Sequence, residues 1–215
     1  MHSASVRILD ADEPENLDVQ LATPLGQLPL LMRPAVPFTD NGLYQFCRAN
    51  SELRIERTKS GDISIMPPTG GETGRRNFIL LGRFFVWVEA DGSGIAFDSS
   101  TGFVLPNSAV RAPDISWVER SRWEALSPRQ RSKFLPLCPD FAVELRSASD
   151  TLAEVQEKCA EYIANGARLV WLIDPIEKRV HIYCGGAVDL LDGPGELSGE
   201  PVLKGLRINL RDILD

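Results

Sequence analysis

Histidine is scarce in this chain: His2 and His181 are the only two in 215 residues. The four cysteines, Cys47, Cys138, Cys159 and Cys184, stand far apart with no C-x-x-C pair. Zinc sites draw on clustered Cys and His, so no zinc centre is expected, and the spacing sets up no disulfide framework. Basic charge is short as well. Lys and Arg number 23 against 30 Asp and Glu, giving a net charge of -7 and a sequence pI near 5.0, so no global field draws the chain to a phosphate backbone. Long apolar runs are missing. The most apolar stretch, Phe78 to Val88, is broken by Arg83 and falls short of the ~20 residues that a membrane helix needs. Asp10, Asp12, Glu13 and Glu15 stand where a secretory leader would be basic and then apolar, so a cytoplasmic chain is expected.

What is present suits a globular protein. With 43% hydrophobic and 25% charged residues, a chain of this length can bury a substantial core as one domain. Residues 1–40 carry five prolines without sustained periodicity and read as an irregular arm, leaving 41–215 as the folded domain. A short helix over Gly42 to Arg48 precedes "ELRIERTKSGDISIMPP", whose alternating apolar residues on both sides of Ser60-Gly61 predict a hairpin. "TGGETGRRN" reads as a turn with Arg75 and Arg76 in solvent, leading into a helix from about Arg75 to Ala90. It lacks the Lys and hydroxyl of a nucleotide-binding loop. From Gly94 a hairpin is expected, then a strand ending near Val118. Residues 119–133 hold five basic and two acidic side chains, and read as a solvated, partly helical connection in preference to a DNA-contacting arm.

The second half is clearer. "DFAVELR" is a strand, "TLAEVQEKCAEYIAN" a helix, "ARLVWLID" a buried strand and "RVHIY" its antiparallel partner. Thr151 and Glu154 form a capping box at the helix start, and Gly166 supplies the stop. Strand, helix, strand implies parallel neighbours, and the hairpins make the sheet mixed, so the fold class is α/β with a mixed sheet flanked by helices. A last strand and a short helical turn close the chain.

Glu144 raises the functional question. Nucleases that use a metal ion often carry an acid followed two residues later by Lys, and here that place holds Arg146. Within the strand, Phe141, Val143 and Leu145 point one way, while Ala142, Glu144 and Arg146 point the other, toward space beside a small side chain. Two Pro-Asp pairs offer partners. Asp140 lies four residues from Glu144, ~13 Å along a strand, too far for two short carboxylates to share an ion with oxygens at about 2.1 Å. Asp114 is the better candidate if its strand runs alongside. The cation could be Lys158, on the flank of the inward stripe Leu152, Val155, Cys159, Tyr162 and Ile163. The residues alone favour a structural ion pair between Glu144 and Arg146 or Lys158 over a catalytic one.

In order and spacing, "ELRIERTKSGDISIMPPTGGETGRRN", "FDSSTGFVLPNSAVRAPDISWVE", "PDFAVELRSASD", "EKCAEYIANGARLVWLIDP" and "VHIY" resemble the Uma-type restriction endonucleases. These are a bacterial branch of the PD-(D/E)XK nuclease superfamily, and the resemblance runs from about Asn50 to the C-terminus. It implies a restriction-endonuclease-like fold with an added N-terminal β-hairpin region. It implies that Asp114 and Glu144 hold Mg²⁺ or Mn²⁺, with Lys158, displaced from the strand to the following helix, as the catalytic lysine. Glu56 falls at the place of an auxiliary N-terminal glutamate, and Arg146 is suited to gripping phosphate or fixing a carboxylate, because guanidinium stays protonated. The implied reaction is hydrolysis of DNA phosphodiesters, with a two-fold homodimer as the assembly that would cut both strands. The alternative is a non-catalytic module binding nucleic acid or protein on the same fold. One departure stands out: Ala148 occupies a place where the family more often has proline.

Overall fold

The structure is a computed structural model that describes residues 30–215 in full and, before them, the strands at 5–8 and 17–20. The chain runs β1 (Ser5–Ile8), β2 (Leu17–Gln20), β3 (Leu30–Met32), α1 (Asp40–Ala49), β4 (Arg54–Arg57), β5 (Ile63–Met66), α2 (Gly71–Asp91), β6 (Gly94–Asp98) and β7 (Phe103–Val104). Then come β8 (Val110–Arg111), β9 (Ile115–Glu119), α3 (Arg120–Glu124), α4 (Pro128–Arg131), β10 (Phe141–Leu145), α5 (Leu152–Ala164) and β11 (Leu169–Asp174). The chain ends with β12 (Arg179–Cys184), β13 (Ala187–Asp192), β14 (Glu196–Ser198), β15 (Arg207–Asn209) and α6 (Arg211–Leu214). Of the irregular arm expected over residues 1–40, the described parts include paired strands, β1 with β2 and β3 with β5, and the rest of 1–29 lies outside the described residues. No helix among the described residues is long and apolar enough to cross a membrane.

Two compact units divide the chain, residues 1–68 with 106–111, and 69–105 with 112–215. In the first, β4 and β5 form the hairpin expected around Ser60-Gly61, with β3 beside β5 and β8 beside β4. Gly61 takes φ 87°, a left-handed turn that glycine adopts without strain. Alternation sends Ile63 and Ile65 inward with Ile55, Leu43 and Phe46.

The second unit is built on a six-stranded sheet in the order β13-β12-β11-β10-β9-β6. Its β10 and β11 are parallel and its other pairs antiparallel, the mixed sheet expected from strand, helix, strand. Phe141, Val143 and Leu145 face α2 in a core with Leu80, Phe84 and Trp171; the Phe141 and Trp171 rings meet edge to face at 4.9 Å. Val155, Cys159 and Tyr162 of α5 are buried on the other side of the sheet. Thr151 and Glu154 form the capping box, and Gly166, at φ 106°, follows the helix.

Three expectations need correction. The helix α2 begins at Gly71, four residues early, so Arg75 and Arg76 lie in its first turns and not in a solvent-exposed turn. Glu72 pairs with both, at 2.7 and 3.2 Å, and these pairs one turn apart offset the poor helix propensity of Gly71 and Gly74. The hairpin expected from Gly94 is replaced by pairing of β6 with β9, with Ala96 opposite Trp117. A Cβ at Gly94 would come within 2.2 Å of the Trp117 indole, so glycine is what lets the two strands close. Finally, β13 and β14 were not anticipated; β13 is exposed along its whole length and hides no apolar face.

The basic connection at 119–133 is partly helical, as expected. Three of its arginines are engaged: Arg131 donates to the carbonyls of Trp123 and Glu124 and lies over the Trp123 ring, Arg122 donates to the Cys138 carbonyl and Arg120 to that of Gly92.

Candidate active site

The strands β9 and β10 run antiparallel with Val143 opposite Ile115, so one further residue of the same register sets Asp114 opposite Glu144. Pro113 has no N–H to continue the ladder, and regular pairing of β9 starts at Ile115. Asp114 therefore sits at the strand end with its side chain turned onto the neighbouring strand. Its Oδ2 accepts the backbone N–H of Leu145 at 2.8 Å, and its Oδ1 accepts the Asn77 side-chain amide at 3.3 Å.

Glu144 lies on the sheet face that α5 covers, beside buried Ala142, and is 5% exposed. Lys158 and Tyr162, four residues apart on one face of α5, converge on the same carboxylate oxygen. Lys158 Nζ stands 3.0 Å from Glu144 Oε1, and the Tyr162 hydroxyl donates to it at 2.8 Å. The Lys158 side chain is 15% exposed, so the stem is largely covered while the ammonium pairs with Glu144.

The adjacent Cys159 thiol senses this cluster. Burial pushes its pKa well above the ordinary range, the Glu144 carboxylate adds to the shift, Lys158 opposes it and Asp114 adds again. Such a thiol is unreactive, and Cys159 is a packing residue.

Asp114 and Glu144 offer hard oxygen donors of the kind that suit Mg²⁺ or Mn²⁺. Magnesium is commonly held by one or two carboxylates, with water and substrate phosphate filling the rest of its shell. No group of three or more His, Cys, Asp or Glu gathers as a metal site among the described residues, so that partial set is the one these residues fit.

The other candidates are placed differently. Arg146 binds buried Asp174 at 2.7 Å and donates to the Asp150 carbonyl at 3.3 Å, tying the end of β11 to the loop before α5. It fixes a carboxylate, but that of Asp174. Glu56 belongs to the other unit, on β4, where it is 3% exposed and paired with Arg111 at 3.1 Å. Asp140 anchors the start of β10, taking Arg122 at 2.8 Å and the Glu119 N–H at 2.9 Å.

Sequence reasoning missed two contacts. Tyr162 was legible as a core residue, but a buried phenol also needs a polar partner, and that signal pointed to Glu144. Asn77 stands three and seven residues before Leu80 and Phe84, a polar side chain at the head of an apolar stripe.

No curated protein sequence matches the chain. A solved structure from Anabaena variabilis, described as a putative nuclease belonging to DUF820, is similar with a TM-score of 0.62 and 20% identity. The likeness covers 74% of this chain and 89% of that one, and establishes a shared fold. Residues 41–211 match the Uma2 family model, described as putative restriction endonuclease. That match takes in β9, β10 and α5 with Asp114, Glu144 and Lys158, and the chain belongs to the Uma2 family.

Proposed function

We propose that this protein is a metal-dependent endonuclease that hydrolyses DNA phosphodiester bonds, with Mg²⁺ or Mn²⁺ held by Asp114 and Glu144. The observation that carries this reading is the placement of two buried carboxylates opposite each other at neighbouring strand ends, with the Lys158 side chain ion-paired to Glu144. Membership of a family described as putative restriction endonuclease supports nuclease-like chemistry, and the similar Anabaena protein is itself described as a putative nuclease. The nuclease-like domain would span residues 41–215, with 1–40 as an arm, in a cytoplasmic protein acting as a two-fold dimer.

The residues divide the work. An ion held there supplies charge neutralisation at the scissile phosphate and acidification of a water. Asp114, clamped by Leu145 and Asn77, keeps its carboxylate in a fixed plane, and Glu144 is fixed by Tyr162. Lys158 orients the attacking water and offsets charge growing on the phosphate oxygens. Arg146, occupied by Asp174, supports the strand ends, and Glu56 is an auxiliary group whose engagement with Arg111 favours a structural role.

One observation favours a second reading, a non-catalytic binding module. The Glu144 oxygen is already satisfied by Lys158 and Tyr162, as in a structural ion network. Supercoiled plasmid incubated with purified protein and Mg²⁺ or Mn²⁺ separates the two. Nicking that disappears in Asp114→Ala and Glu144→Ala is the expected result; no nicking with either metal, or nicking by both variants at the wild-type rate, favours the module.

A further inference from the structure

Asn77 occupies a position where the buried stripe of α2 would continue, three residues before Leu80 and seven before Phe84, both fully buried. A polar amide there needs partners at both ends. Its Nδ2 reaches Asp114 Oδ1 at 3.3 Å. The amide must point its nitrogen that way, because an ionised carboxylate accepts and does not donate. The carbonyl oxygen Oδ1 is then left out of contact with solvent and without a hydrogen-bond partner among the described residues. Buried acceptors are ordinarily satisfied by protein or by an ordered water, so an orphan one beside a carboxylate calls for a small donor. Asp114 meanwhile is held at its other oxygen by the Leu145 N–H at 2.8 Å, so α2 and β10 grip the carboxylate from two sides.

We infer that Asn77 is a positioning residue of the site: Nδ2 fixes the Asp114 carboxylate plane, and Oδ1 accepts a hydrogen bond from a water held beside it. The inference rests on the reading that Asp114 and Glu144 hold the ion. A merely structural amide would affect folding and leave ion binding per folded molecule unchanged. A positioning amide would affect ion binding and turnover with little change in affinity for DNA, since α2 would touch the substrate only through Asp114 and its water.

The test uses the full chain and three variants, Asn77→Leu, Asn77→Ser and Asn77→Gln, with Asp114→Ala as the reference. Mn²⁺ binding is measured by titration calorimetry without DNA, plasmid cleavage gives kcat and KM, and thermal melting monitors folding. Asp114→Ala should lose Mn²⁺ binding. Asn77→Leu and Asn77→Ser should bind Mn²⁺ about 10- to 100-fold more weakly and lose kcat to a similar degree with KM unchanged, the range seen when groups supporting a metal ligand are removed. Asn77→Gln, which keeps donor and acceptor on a longer arm, should recover part of the loss. If Asn77→Leu does not fold, the smaller and polar Asn77→Ser carries the result. Wild-type binding and turnover in the Asn77 variants, beside a defective Asp114→Ala, would overturn the inference and leave the site standing. Wild-type Mn²⁺ binding in Asp114→Ala would overturn the site itself and the inference with it.

Discussion

Pro113-Asp114 and Pro139-Asp140 are the same dipeptide at the starts of adjacent antiparallel strands, yet their carboxylates are held in different ways. Asp140 receives a guanidinium, from Arg122, and a backbone N–H, and its own carbonyl accepts the N–H groups of Arg168 and Leu169. These contacts tie down the entries to β10 and β11, which makes Asp140 a structural anchor. Asp114 sits at the far end of β10, where the Leu145 backbone and the Asn77 amide are among its donors. The Leu145 and Asn77 donors fix the Asp114 carboxylate opposite Glu144 on the neighbouring strand. Antiparallel pairing puts the two at opposite ends of β10, and Glu144 shares the end with Asp114.

The sharpest way to break that comparison is to neutralise each carboxylate without changing its shape. Asp114→Asn and Glu144→Gln should lower metal-dependent nicking by about 1,000-fold or more, since several kcal/mol of transition-state stabilisation depend on the ion. Asp140→Ala should leave turnover per folded molecule intact. It should instead cost about 1–3 kcal/mol of stability, toward the lower end because Arg122 is partly exposed and screened. Denaturant melts and nicking assays on the same preparations read both effects, and a catalytic defect in Asp140→Ala with normal stability would erase the distinction.

The next effect sharpens the comparison between the two cations near Glu144. Arg146 lies two residues along the chain but is spent on Asp174, which is fully buried and also accepts the N–H groups of Ile176 and Glu177. Lys158 comes from α5 and meets Glu144 directly. Lys158→Ala should reduce cleavage by about 100-fold or more with a modest loss of stability, because Tyr162 still satisfies Glu144. Arg146→Ala should cost about 3 kcal/mol of stability by leaving fully buried Asp174 with its two N–H donors but without that guanidinium, with turnover largely preserved. A reversed pattern, in kinetics and melts together, would move the catalytic cation from the helix to the strand.

Much of this arrangement was legible because period and spacing encode it. Alternation in "FAVEL" sorted Glu144 from the core face, the Thr151 and Glu154 pair marked the start of α5, and the helical period put Lys158 on the flank of the buried stripe. Elements whose geometry depends on distant partners were not legible. The pairing of β6 with β9 depends on Gly94 yielding space to Trp117, a contact between residues 23 positions apart. The early start of α2 is supported from far along the chain, where Arg75 donates to the Asp212 carbonyl and Arg76 to the main-chain oxygen of Asp215, beside the local pairs with Glu72. Arg146 looked like part of the site because strand alternation put it on the Glu144 face, but β10 ends at Leu145 and the guanidinium follows Asp174 instead. Within the site, hydrogen bonds from otherwise apolar stripes, Tyr162 and Asn77, were hidden because the pattern that predicts burial is silent about a side chain's polar tip.

Tyr162→Phe is the mildest of these changes and separates fixing Glu144 from balancing its charge. It removes one hydroxyl from a fully buried ring and leaves the Lys158 ion pair in place. Loss of the 2.8 Å hydrogen bond to a charged acceptor should cost about 1–2 kcal/mol of stability. Glu144 would keep its charge and its cation but gain freedom to rotate, so cleavage should fall by only about 3- to 10-fold, through kcat and not KM. Lys158→Ala keeps the hydroxyl and removes the cation, so the two variants dissect one oxygen's two partners. If Tyr162→Phe were as inactive as Lys158→Ala, orientation of Glu144 and not the ammonium charge would be the decisive contribution of α5.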